Sequence, residues 1–113
     1  MARISEYSFG HIVVDGEEHS RDVILLPSRV VGEWWRKEGH SLVPEDLADV
    51  MDELPDRLIV GCGMHGRLQP HPSVLEALRE RGVEVEALPT SEAVRRYTEL
   101  DPARTAAALH LTC

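Results

Sequence analysis

Two stretches of the chain concentrate the side chains able to do chemistry. Gly61-Cys62-Gly63-Met64-His65-Gly66-Arg67 sets three glycines at G-x-G-x-x-G spacing directly after the apolar run Leu58-Ile59-Val60. Trp34-Trp35-Arg36-Lys37-Glu38-Gly39-His40 gathers two indoles and three basic side chains in seven residues.

The glycine spacing is that of a dinucleotide site, where it serves a tight turn, close backbone approach to a pyrophosphate and helix packing. Glu86 stands twenty residues beyond Gly66, where a ribose-binding acid would be sought. The surroundings do not fit. The fingerprint should open a helix at once, so that its first amides face the phosphate. Here Arg67 to Pro72 intervene, and Pro70 and Pro72 each remove an amide donor. No nicotinamide, flavin or other cofactor is expected. What the loop does offer is a sharp turn off the carboxyl end of a buried strand, the usual ligand position in an open α/β sheet. Backbone amides around Gly61, Cys62, Gly63 and Gly66, with the guanidinium of Arg67, are the candidates for cradling a small anion or small molecule.

Cys62, His65 and His71 also read as C-x2-H-x5-H. Zinc is held tetrahedrally by such ligands, but no partner pair accompanies them, and no metal is expected. A Cys62–His65 nucleophile pair would need a third group to orient the base, and none is visible. Cys62 therefore reads as a small structural residue. It would approach Cys113 if both end adjacent parallel strands, yet two cysteines do not make a disulfide scaffold, and reduced thiols in a cytoplasm are expected. His110 lies in phase with Ala108 and Thr112, as a core or sheet-face histidine with one hydrogen bond.

If Val30 to Trp35 is a strand, the two tryptophans point to opposite faces. One enters the core and the other is at least partly exposed. An exposed indole beside Arg36 and His40 is a candidate partner-binding surface, with Trp34, Trp35, Arg36 and His40 as its residues. The plainer reading is that both indoles cover the faces of one small sheet.

The elements that must position these groups divide the chain in two styles. Phe9 to Val14 runs into the turn dipeptide Asp15-Gly16, Arg21 to Leu26 is stopped by Pro27, and Val30 to Trp35 follows. This predicts antiparallel hairpins. Beyond Ser41, Pro44 suits a first helical position, and Leu47, Val50, Met51 and Leu54 make one apolar stripe up to Pro55, predicting a helix. Arg57 onward reads β-α-β-α-β. Leu58 to Val60 is a buried parallel strand, and a helix from Pro72 is capped by Gly82. Val83 to Ala87 alternates as a half-covered strand near an edge. A helix with Thr90 as N-cap ends at Asp101-Pro102, and Thr105 to Thr112 is the last strand. Short strands alternating with helices favour parallel pairing.

Length and charge bound the rest. The chain of 113 residues allows one domain, spanning residues 1–113, and a body of about 13 Å radius of gyration. Twelve Lys+Arg against twenty Asp+Glu give a net charge of −8, which argues against nucleic-acid binding. No apolar run reaches the length of a membrane span, and no apolar segment follows a basic start, so neither membrane insertion nor a signal peptide is expected.

The segments FGHIVVDGEEHSRDVILLP, WWRKEGH, LIVGCGMHGRL and AALHLTC together resemble a widespread family of small uncharacterised α/β proteins. That family includes the adipogenesis-associated domain-containing protein of animals and is related to an assembly factor of mitochondrial respiratory complex I. The resemblance implies a three-layer α/β fold with a central mixed sheet and a flanking hairpin layer, and brings with it no established catalytic activity. Family members more often carry Thr or Ser at position 62, so a hydroxyl contact there is in doubt for Cys62. The resemblance names no respiratory partner.

The expectation is therefore a non-enzymatic binding or assembly module acting through an unidentified protein partner. The alternative is a small-molecule or anion site at the Gly61–Arg67 loop, with an enzymatic role left open. Homodimerisation through Val23, Leu25, Val30 and a tryptophan of the N-terminal β layer is a further reading.

Overall fold

The computed structural model describes residues 2–37 and 39–112. Glu38 and the proximity of Cys113 to Cys62 fall outside these residues.

The chain opens with strands β1 (Ile4–Ser8), β2 (His11–Val14) and β3 (Glu17–His19), which form an antiparallel sheet in chain order. Val14 pairs with Glu17, so Asp15 and Gly16 alone make the β2–β3 turn. Both have positive φ, 52° and 80°, as a type I′ hairpin turn requires.

The central sheet is five-stranded and mixed. It uses β4 (Val23–Leu25), β5 (Val30–Val31), β7 (Arg57–Cys62), β9 (Glu84–Leu88) and β10 (Thr105–His110) in the order β5-β4-β10-β7-β9. Strand β10 runs parallel to β7 and antiparallel to β4, joining the hairpin half to the crossover half. Strand β7 is also parallel to β9, which lies at the edge as its alternating pattern predicts. A short parallel pair, β6 (Ser41–Leu42) with β8 (Gln69–Pro70), stands apart and was not foreseen in the sequence. Helices α1 (Pro72–Glu80) and α2 (Thr90–Thr98) complete the chain.

Every residue of β10 is buried, because both faces of the sheet are covered. Leu58, Val60, Cys62, Ala106 and Ala108 face one core with Val74 and Leu78 of α1. Ile59, Ala107 and Leu109 face the other with Ala93 and Tyr97 of α2 and Ile12 and Val14 of the hairpin sheet. The result is the expected layered mixed α/β arrangement, with a radius of gyration of 12.4 Å.

Three local expectations are corrected. The segment from Pro44 to Leu54 is not an α-helix but two 3₁₀ turns, Pro44–Leu47 and Met51–Glu53. Leu47 and Val50 are buried as the stripe requires, but the bonds run i to i−3, as in Val50 N–H to Leu47 O at 3.0 Å. Leu54 precedes Pro55 and is forced to an extended ψ of 132°, which ends the segment before α-helical turns accumulate. The strand after Val30 covers two residues only. Glu33 takes a positive φ of 51°, breaking the ladder before the tryptophans. Thr90 is the first residue of α2 rather than its cap, and its hydroxyl is used across the fold. Of the residues named for a dimer face, Val23, Leu25 and Trp34 are buried within the chain, Val30 is half-buried and Trp35 is exposed.

Candidate functional site

Three segments meet at the carboxyl end of β10. Asp22 immediately precedes β4, His110 ends β10, and Trp34 to Arg36 follow the kink at Glu33. The antiparallel pairing of β4 with β10 sets Leu109 opposite Val23, so the residues just beyond, Asp22 and His110, are neighbours in space. Asp22 Oδ2 accepts hydrogen bonds from Arg36 Nη1 at 2.8 Å and from His110 Nδ1 at 2.9 Å. Its Oδ1 accepts the Leu111 amide at 2.9 Å. Burial pushes the Asp22 carboxyl up. The hydrogen bonds from His110 and the Leu111 amide, with the positive charge of Arg36, outweigh that and hold it below its ordinary range.

The tryptophan segment is pinned rather than loose. The Trp34 amide donates to Asp22 O at 2.8 Å, and its indole Nε1 donates to Asp46 O at 2.9 Å. Asp46 in turn accepts the amides of Lys37 and Val43 through its two carboxylate oxygens. The guanidinium of Arg36 lies 5.4 Å from the Trp34 ring centroid, in cation–π range. Trp34 is thereby buried, while Trp35 is 79% exposed. One indole in and one out agrees with expectation, but a fixed irregular segment does this, not strand alternation. The Arg36 side chain is only 8% exposed. His40 is exposed, and its carbonyl accepts the Gln69 amide at 3.1 Å.

The cleft above this cluster has a volume of about 780 Å³ and is walled by Arg21, Glu33, Trp35, Arg36 and His110, with Asp22 at its base. Phe9 and Met64, 53% and 56% exposed, border the same edge. Gly10, next to Phe9, donates its amide to Leu111 O, and Met64 donates its amide to Thr112 O, both at 2.8 Å. Three of the four large exposed apolar side chains among the described residues are therefore gathered around the end of β10.

Residues 4–110 match a family described as a protein of unknown function, DUF498/DUF598. The chain belongs to that family. A conserved hypothetical protein from Pyrococcus horikoshii OT3 is similar in structure with a TM-score of 0.86 and 32% identity, over 98% of this chain and 99% of that one. An outer membrane protein from Bartonella henselae shares the fold at 24% identity and a TM-score of 0.83, over 99% and 96% of the two chains. A Mth938-like domain from Bordetella pertussis does so at 23% identity and 0.71, over 97% and 85%. Among the described residues, no helix of this DUF498/DUF598 protein is long and apolar enough to cross a membrane.

In this DUF498/DUF598 protein three amides of the Gly61–Arg67 loop have acceptors within the chain. Gly63 N–H donates to Thr90 Oγ1 at 2.8 Å, Met64 N–H to Thr112 O, and Gly66 N–H to Gly63 O at 3.2 Å. Thr90 Oγ1 in turn donates a hydrogen bond to His110 O at 2.6 Å, cross-linking the loop, α2 and β10. The glycines serve approach and turning. A Cβ on Gly61 would stand 2.9 Å from Leu109 Cδ2 and 3.0 Å from Thr90 Oγ1, while Gly63 takes φ of 92°. Arg67 is exposed. Cys62 is buried, and burial pushes its thiol up, the opposite of nucleophile activation. His71 caps α1, its Nδ1 accepting the Ser73 amide at 3.1 Å, and no metal-binding cluster forms among the described residues. Asp22, Phe9 and Met64 were missed in the sequence. The usable signal was an acid directly before an apolar strand, a position that burial makes costly unless the charge is paired.

Proposed function

We propose that this family member is a non-catalytic binding module that docks a protein partner at the carboxyl edge of its central sheet. The observation that supports it is Trp35, 79% exposed on a segment pinned by Trp34, Arg36 and Asp46. A rigidly presented indole loses little entropy on docking and buries a large apolar area, the pattern of an interface anchor. Phe9 and Met64 extend the apolar surface along the same edge. In this reading Arg36 and Trp34 position the anchor, and His40 belongs to the rim. The protein would work in the cytoplasm. The kinship drawn above with the adipogenesis-associated protein and the complex I assembly factor belongs to the same proposal; it supports an adaptor role and assigns no named partner.

The test is affinity capture from native lysate with the wild-type chain and with Trp35→Ala as baits. The reading expects one partner at stoichiometric amount on the wild type and its loss on the variant, with an unchanged melting temperature. Equal recovery on both baits overturns it. Sedimentation of the same samples shows whether the partner is a second copy of the chain.

A further inference from the structure

Asp22, Arg36 and His110 place three ionisable groups in a largely buried cluster, with side-chain exposures of 15%, 8% and 10%. Stability does not call for this, since apolar residues of similar volume often serve a core equally well. The cluster has a further property. An ionised carboxylate only accepts, so the 2.9 Å contact to Asp22 Oδ2 places the hydrogen of the neutral His110 ring on Nδ1. The basic lone pair then lies on Nε2, which has no partner among the described residues, and His110 lines the cleft.

Arg36 is left unusual by the same arrangement. Its Nη2 stands 3.1 Å from His110 Nδ1, which has a hydrogen rather than a lone pair to present. Its Nε–H is buried without an acceptor among the described residues. In Arg29, Arg96 and Arg104 this same Nε–Nη2 edge grips the carboxylates of Glu53, Glu86 and Asp56. In Arg36 one amine binds Asp22, and the Nε of the gripping edge has no acceptor among the described residues. Arg21 lines the cleft as an exposed cation with no ion-pair partner among the described residues, and Glu33 lines it as an acid.

We propose that this cleft is a binding site for a small organic oxyanion that carries a hydroxyl, a ligand of the hydroxy-acid type. The hydroxyl donates to His110 Nε2, held in the accepting tautomer by Asp22. The anionic group pairs with Arg21, and the Trp35 ring lines the cleft. The site is distinct from the glycine loop and does not depend on protein docking.

The test is a titration of the ¹⁵N-labelled full chain with glycolate, and separately with acetate, at constant ionic strength and neutral pH. The readout is the ring nitrogens of His110, assigned by their loss in His110→Gln. The free protein should show a protonated Nδ1 and a lone-pair Nε2. Glycolate should shift Nε2 saturably, and acetate should bind about tenfold more weakly, the worth of one hydrogen bond. Arg21→Ala, a surface change that should leave the fold intact, should weaken glycolate about fivefold. A hydrogen on Nε2 instead of Nδ1 in the neutral ring, no saturable shift with glycolate, or equal binding of acetate each overturns the proposal. None of these results bears on capture of a protein by Trp35.

Discussion

His110 Nδ1 stands 2.9 Å from Asp22 Oδ2, a contact between residues 88 positions apart. It exists because β10 pairs antiparallel with β4 and parallel with β7, which brings the start of the hairpin half to the end of the crossover half. Asp22 also holds Arg36 and the Leu111 amide, so one carboxylate ties together β4, β10 and the tryptophan segment.

Removing that carboxylate strands a guanidinium of which 8% is exposed. Asp22→Ala should destabilise the fold by about 3 kcal/mol, the cost of breaking a buried pair from one side. Asp22→Asn keeps an acceptor and should cost less. Chemical denaturation at neutral pH measures both.

The depressed carboxyl of Asp22 also predicts an acid response. A group whose pKa is lowered on folding contributes stability that is present above its ordinary value, 3.8, and lost as pH falls through the folded value. The stability gap between wild type and Asp22→Asn should therefore be constant near neutrality and shrink below about pH 4. Urea denaturation midpoints between pH 7 and pH 2 follow it; a gap that widens in acid would contradict the assignment.

Thr90 offers a sharper structural test. Its hydroxyl accepts from Gly63 N–H and donates to His110 O, all buried. Thr90→Val keeps the shape and leaves both partners unsatisfied, at a cost of about 2 kcal/mol. Gly61→Ala, which drives a methyl against Leu109 and Thr90, should cost about 1–3 kcal/mol by overpacking. Thermal and chemical unfolding of the two variants measure these losses.

The adjacent indoles should part company under mutation. Trp34→Ala removes a buried ring, its bond to Asp46 O and its stacking with Arg36, and should cost about 3–5 kcal/mol. Trp35→Ala should change stability by no more than about 0.5 kcal/mol. Comparable losses at both positions would mean that Trp35 is not presented as described.

The hairpin turn at Asp15-Gly16, the two-sided burial of Leu58 to Val60 and the β-α-β-α-β order were legible, because each is a local pattern with one physical solution. The helix expected at 44–54 failed because a pair of 3₁₀ turns buries the same apolar positions as an α-helix, and the stripe cannot tell them apart; the two prolines decide. Arg36 was named for a surface as the neighbour of an exposed indole, yet the Trp34 face and Asp22 compensate its burial. The cluster around His110 was invisible for another reason. Its members become neighbours only through the strand order β4-β10-β7, and no local spacing encodes that order. Phe9 and Met64 looked like ordinary loop residues until the bonds of Gly10 to Leu111 and of Met64 to Thr112 brought them to the end of β10.

The docking account is tested most directly by a photo-crosslinking side chain placed at position 35, with one at Glu76 on the exposed side of α1 as the comparison. Irradiated in native lysate, position 35 should yield a single dominant crosslinked partner and position 76 none. The same yield from both positions, or none from position 35, would contradict the account.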